Sequence, residues 1–295
     1  MRVRIVVDCF SGRENPSIVL EGSDADAALD RIKVGRAVDA AQATPARHRL
    51  GYRGVIVERL DGDGHRLPRR FLLSADRLFS DGAALHLEEP GFEQRLVRAE
   101  TLVSRFEVDR PTAELIAEDA QRALAPGPGS LVPPPWKPPK IGVVQHENQA
   151  PVFEPGWWND GAGRQSGNNC YNYSCDYRTD TFAQPGRASG HMYPEVSSAA
   201  VRAGAVSDDL ADTPDADNKF PAAGHLVALV IAPGIDFHWY RKDMAGKWSH
   251  KPGGTAATNL DNGGAEITDP RTANRGFYTE FATFMNVRHG HVRIR

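Results

Sequence analysis

Asp236-Phe-His-Trp-Tyr-Arg-Lys-Asp-Met-Ala-Gly-Lys-Trp-Ser-His-Lys-Pro252 is the stretch on which the fold turns. Its first half, Asp236–Lys242, reads as a strand of aromatic and polar residues. Met244-Ala-Gly246 then forms a short loop, with glycine last, as a type I turn with a G1 bulge requires. Lys247–Pro252 returns as the second strand. In that register Lys242 opposes Trp248 and Tyr240 opposes His250, so His238 and His250 are diagonal neighbours on one face of the ribbon. Just upstream, Gly224-His-Leu-Val-Ala-Leu-Val-Ile231 is an apolar run bounded by glycine and by Pro233-Gly234. It reads as a buried strand beside the hairpin.

The other half of the argument is Gly167-Asn-Asn-Cys-Tyr-Asn-Tyr173. Gly161–Asn169 is a polar, glycine-rich approach, and Tyr171–Tyr177 can continue as a short helix. A thiol at Cys170 would then feel the positive end of the helix dipole, which lowers its pKa. Nearby donors for a developing oxyanion would be Gln165, Asn168 or Asn169. Tyr171 and Trp239 are expected to line the substrate pocket. A cysteine beside a strand histidine that is oriented by a second polar group is the pattern of nucleophilic thiol catalysis. Cys170 is therefore the expected nucleophile, His238 the base and His250 the residue holding the His238 ring in its productive tautomer.

The chain has 295 residues, 40% hydrophobic and 25% charged, with a formal net charge of −3. That balance gives no basic field for nucleic acid and no polybasic membrane footprint. No run approaches the roughly eighteen apolar residues of a membrane span. The apolar run Ile5–Val7 is flanked by Arg2, Arg4 and Asp8, so it does not read as a signal-peptide core. The expected location is cytoplasmic, unless a specialised secretion machine exports the chain. Cys9, Cys170 and Cys175 are too few for a disulfide framework. Cys9 reads as a buried small apolar group. A zinc site of Cys170, Cys175, His238 and His250 matches no zinc spacing and ranks below the hydrolase. No metal or cofactor is expected. His191 and His225 read as structural, and His289 and His291 as solvent-facing.

Composition divides the chain. Ala125–Pro139 is rich in proline and glycine, and reads as a semi-rigid linker within 125–150. Before it, residues 1–124 read as a small α+β domain that recruits a partner or substrate. Its expected strands are Arg2–Phe10, Tyr52–Leu60 and Arg70–Leu73. Its expected helices are Ser23–Val34, Gly91–Val103 and Pro111–Leu124. Phe10–Pro16 and Leu50–Gly54 read as ordered turns. After the linker, residues 151–295 read as an α+β domain with an antiparallel sheet and a cysteine-bearing helix. Ala273–Met285, with Phe277, Tyr278, Phe281 and Phe284, is expected to be a helix or loop-helix packed on the sheet.

The order of Cys170, Gly224–Val230, His238 and, twelve residues on, His250 resembles the NlpC/P60 branch of the papain-like cysteine hydrolases. The resemblance covers about residues 155–255 and departs from the family pattern at Asn168-Asn-Cys-Tyr-Asn172. It implies a papain-like domain that cleaves an amide bond in a peptide or protein substrate, without a metal, through Cys170, His238 and His250. CHAP-type amidases and transglutaminase-like acyl transferases share the cysteine-then-histidine order. The alternative from another class is a binding module that keeps the scaffold without turnover, its cleft plugged by Trp136 or by Trp157-Trp158.

Overall fold

The computed structural model describes residues 1–38, 49–62, 65–80, 83–125, 150–159 and 162–295. Nearly all of the expected linker, Trp136 included, lies outside the described residues, as do Asp63, Gly64, Asp160 and Gly161. The chain has α+β architecture in two compact units. One comprises Met1–Cys9, Glu14–Ala46 and Gly51–Val132; the other comprises Phe10–Arg13, Arg47–Leu50 and Pro133–Arg295. Phe10–Arg13, read from sequence within the first domain, thus clusters with the second.

Among the described residues the first unit holds seven antiparallel strands: β1 (Arg2–Asp8), β2 (Ser17–Glu21), β3 (Val34–Ala37), β4 (Gly54–Arg59), β5 (Arg70–Ser74), β6 (Arg77–Ser80) and β7 (Ala83–Leu87). Their order in the sheet is β2-β1-β4-β5-β6-β7-β3. Strand β1 shows why it is a strand: Val3, Ile5 and Val7 are buried, while Arg2 and Arg4 face water. Four helices follow from local signals: α1 (Gly22–Asp30), α2 (Phe92–Leu96), α3 (Ala99–Phe106) and α4 (Arg110–Leu124). The Asp109 side chain caps α4 by accepting from Thr112 N at 3.0 Å, and Ala113, Ile116 and Ala120 form its buried stripe. Two expected helices are shorter than read. The first ends at Asp30, because Val34 pairs with Leu87 in the sheet. The second breaks where Arg98 turns extended (φ −68°, ψ 141°), separating α2 from α3.

The second unit is built on β8 (Ala211–Asp212), β9 (His225–Ala232), β10 (Asp236–Lys242), β11 (Trp248–His250) and β12 (Glu280–Val287), ordered β11-β10-β9-β12-β8 and antiparallel throughout. Every residue of β9 is buried, as a central strand covered on both faces must be. Its α-helices among the described residues are α5 (Pro155–Asn159), α6 (Ala162–Gly167), α7 (Cys170–Ser174) and α8 (Ser198–Ser207). The hairpin register is Tyr240↔His250, Arg241↔Ser249 and Lys242↔Trp248. Gly246 sits at φ +81°, the left-handed conformation that the bulged turn demands of its last residue.

The expected terminal helix is absent; Glu280–Val287 is instead a strand on β9. The aromatic spacing at Phe277, Tyr278, Phe281 and Phe284 mimics a helical stripe. Pairing with the unsatisfied edge of β9 outweighs that local preference, and the register shifts between Phe281 and Thr283.

The core of the unit lies on one face of the sheet. Val227, Leu229, Ile231, Phe237, Trp239, Met285 and Val287 pack with Cys170 and Tyr171 of α7 and Val201 and Ala205 of α8. Alternation along β10 sends His238 and Tyr240 to the other face, where they meet His250 and Tyr278.

Candidate active site

His238 Nε2 lies 2.9 Å from His250 Nδ1, and His250 Nε2 lies 2.9 Å from the Leu260 carbonyl oxygen. Both rings are fully buried. A carbonyl only accepts, so His250 donates through Nε2 and its Nδ1 is left as an acceptor. His238 must then donate through Nε2, which fixes its basic lone pair on Nδ1. The chain of two hydrogen bonds thus selects one tautomer for each neutral ring. Tyr240 packs edge-on against His238 (4.7 Å between centroids) and stacks on His250 (5.0 Å), which restrains both rings.

Cys170 opens α7. Asn169 caps that helix: its Oδ1 accepts from Tyr171 N (3.0 Å) and Asn172 N (3.1 Å), and Asn172 Oδ1 accepts from Asn169 N in return. The helix packs on the Phe237 and Trp239 side of β10. Cys170 packs with Phe237 and Trp239, on the face of β10 opposite His238. Burial pushes the thiol well above the ordinary range, and the Asp236 carboxylate adds to it; the Trp239 backbone N–H and the Lys251 ammonium pull the other way. Burial raises the Tyr240 hydroxyl as well, with smaller contributions from Asp261 and Cys170.

The direction for Cys170 is opposite to the sequence expectation. A five-residue helix offers a weak dipole, and complete loss of hydration outweighs it. The structure therefore joins His238 directly to His250. It brings Cys170 to the same strand on the side of Phe237 and Trp239.

Several expected donors are braces. Asn168 spends its side chain on the 178–182 loop, donating to Asp180 Oδ1 (2.6 Å) and Arg164 O (2.8 Å) and accepting from Thr179 N and Asp180 N. Tyr171 is fully buried, its hydroxyl on Asp208 (3.0 Å) and its ring 5.5 Å from Trp239. Neither Tyr171 nor Trp239 lines an open pocket; both are core. Gln165, in α6, offers its backbone carbonyl to Lys251 Nζ. Asn169 donates its side-chain amide to Gly12 O (3.1 Å) and Ala183 O (2.8 Å).

Sequence reading missed four residues around this edge. Gln184 donates to Gly12 O at 2.7 Å. Asp236, fully buried, accepts from Tyr278 Oη and from the backbone of Ser11 and Arg13. Burial pushes its carboxyl up, and those donors, Tyr278 first, oppose the rise. Lys251 donates to the carbonyls of Gln165, Asn168 and Gly253, tying the residue after His250 to the loop before Cys170. A lone glutamine, aspartate, lysine or tyrosine in a loop carries no spacing signal. Only the Pro233-Gly234 turn ahead of Asp236 hinted at a fixed position.

The remaining candidates fall elsewhere. Cys175 ends α7 beside the Ser174 hydroxyl, its thiol driven up by burial. Among the described residues no group of three or more His, Cys, Asp or Glu side chains forms a metal-binding cluster. Buried His225 holds the Ser174 carbonyl at 2.7 Å, while His289 and His291 are exposed. Trp158 is buried edge-on against Tyr173, and Trp157 is exposed under Arg178.

Over 138 residues, 46% of its length, the chain is 46% identical to Insoluble matrix shell protein 1 of Ruditapes philippinarum, and the match takes in 88% of that protein. The chain belongs to the family of that shell protein. No family model matches the chain, and no solved structure matches it. Among the described residues no helix is long and apolar enough to cross a membrane.

Proposed function

We propose that the second unit is a papain-like thiol hydrolase, similar to the NlpC/P60 enzymes, that cleaves an amide bond in a peptide or protein. The observation that supports this best is the relay Leu260 O–His250–His238, because it leaves the basic nitrogen of His238 at Nδ1. In the proposed reaction Nδ1 takes the proton of Cys170, and the sulfur attacks the substrate carbonyl. The imidazolium then protonates the leaving amine, giving a thioester that water hydrolyses with His238 again as base. In this reading Asn169, next to Cys170, and Gln184 would turn the amide donors now held by the Gly12 carbonyl to the oxyanion.

The test is the pH profile of Cys170 alkylation by iodoacetamide, read by mass spectrometry. His238→Ala is expected to slow alkylation near neutral pH and move the profile toward that of an unassisted thiol. A Cys170 rate unchanged by His238→Ala would overturn the reading.

A second reading is favoured by the buried, proton-retaining thiol and by the shell protein's name. On it, the unit is an interaction module of an insoluble matrix that keeps the scaffold without turnover. It predicts no Cys170-dependent amide cleavage, and retention of the folded protein on an insoluble matrix whether or not Cys170 is replaced by alanine.

A further inference from the structure

The Gly12 carbonyl accepts hydrogen bonds from two side-chain amides, Asn169 Nδ2 at 3.1 Å and Gln184 Nε2 at 2.7 Å. Along the same short segment, Asp236 accepts the backbone N–H groups of Ser11 (2.6 Å), Gly12 (3.2 Å) and Arg13 (3.0 Å). The Arg13 guanidinium reaches the Ile235 carbonyl. Asn169, Gln184 and Asp236 are all buried. Two amide donors for one carbonyl, and one carboxylate for consecutive N–H groups, recognise a peptide backbone whatever its side chains.

One position of the segment is limited by space. A Cβ on Gly12 would stand 2.5 Å from the Phe237 ring, so any other residue there forces the ring or the segment to shift. Ser11 Oγ, by contrast, is buried and has no hydrogen-bond partner among the described residues. The cradle thus serves the backbone of the segment and leaves its neighbouring hydroxyl unserved. Asn169 directly precedes Cys170, which sets the held carbonyl beside the cysteine turn.

We propose that Asn169, Gln184 and Asp236 form a peptide subsite beside Cys170 that takes a glycyl carbonyl at a bend in the chain, and that Phe10–Arg13 occupies it as an internal ligand. The proposal deepens the hydrolase reading and rests on it for chemistry. The substrate class is a glycine-containing peptide that presents consecutive N–H groups to Asp236. Such a peptide competes with Phe10–Arg13, and Cys170 reacts only in the fraction of molecules from which the segment has left.

The experiment uses the full chain and follows iodoacetamide modification of Cys170 by mass spectrometry, which separates it from Cys9 and Cys175. Gly12→Val, whose side chain meets Phe237, is expected to speed modification by about tenfold, as the open fraction rises. Acetyl-Phe-Ser-Gly-Arg-amide added to this variant restores the slow rate, and the Phe-Ser-Ala-Arg peptide does not. Should Gly12→Val fail to fold, Arg13→Ala, which loses the bond to Ile235 O and the guanidinium over Phe10 but keeps the backbone bond to Asp236, carries the same comparison with a smaller gain. A folded variant with an unchanged rate, or equal protection by both peptides, overturns the subsite. Adding His238→Ala separates the two ideas. If peptide protection persists while the rate no longer depends on His238, the subsite stands and the hydrolase reading falls.

Discussion

Arg241 holds its guanidinium 4.0 Å above the ring of Tyr173, donating to the Tyr173 carbonyl (3.3 Å) and hydroxyl (3.1 Å) and to Asp176 (2.6 Å). One residue of the histidine-bearing strand thereby anchors the cysteine-bearing helix at Tyr173 and the turn that follows it at Asp176. The arginine is almost wholly buried and Asp176 is 30% exposed, so removing the cation strands several buried acceptors. Arg241→Met is expected to cost about 3 kcal/mol, read as a lower urea midpoint. Because the anchor is lost as well, Cys170 alkylation should quicken even below the unfolding transition.

His250 is expected to act through His238. His250→Ala removes the acceptor for His238 Nε2 and should lower the Cys170-dependent amidase rate by about a hundredfold. His250→Asn can accept from His238 and donate to Leu260 O in its place, and should lose roughly tenfold or less. Equal losses for the two variants would show that the ring fills space rather than fixing a tautomer.

Asn169→Asp distinguishes the two jobs of that side chain. The carboxylate still caps α7, but it faces the carbonyls of Gly12 and Ala183 with no hydrogen to give. It should therefore destabilise the second unit more than the roughly 1 kcal/mol expected from loss of a cap alone. Thermal unfolding of Asn169→Asp beside Asn169→Ser, which keeps a hydroxyl acceptor, measures the difference.

Acid should weaken the second unit through His225. Burial pushes this histidine from 6.5 down to about 3, so the folded state binds fewer protons than the unfolded one across that window. Its stabilising effect is present above about pH 6.5 and is lost as pH falls toward 3. Between pH 7 and pH 5 the loss is about 2 kcal/mol. Hydrogen exchange of β9 amides at the two pH values should show it, and His225→Gln should flatten the response.

The first unit should respond with the opposite sign. Burial raises Glu93 from 4.5 to about 7, against the opposing hydrogen bond from Tyr52. A carboxyl raised in this way stabilises the fold while protonated, so stability is lost as pH climbs from about 4.5 through 7. The expected decline from pH 5 to pH 8 is about 2 kcal/mol. Glu93→Gln, which keeps a neutral partner for Tyr52, should remove most of it when exchange is followed in α2 and α3.

The hairpin was legible because its signals are local. Glycine at the bulge and alternating residues on either side fix the pairing within 236–250, and with it the shared face of His238 and His250. The helix α4 was legible for the same reason, from Pro111 and an apolar stripe. The region 273–285 misled because four aromatic residues fit a helical period, and only the open edge of β9 made them part of a strand and its approach. The roles of Asn168 and Tyr171 were equally hidden, since their partners Asp180 and Asp208 lie in loops with no periodicity to read.

Sequence by itself determined the elements whose interactions close over a few residues: the hairpin, its turn, the capped helices and the order of cysteine and histidines. Tertiary structure decided the thiol's surroundings. Full burial, with Asp236 nearby, drives Cys170 toward its protonated form where a local helix argument had it lowered. It also decided that Gly12, 157 positions before Asn169, would rest on that residue's amide. Desolvation and such long-range contacts depend on which surfaces meet once the chain has folded, and no local pattern encodes that meeting.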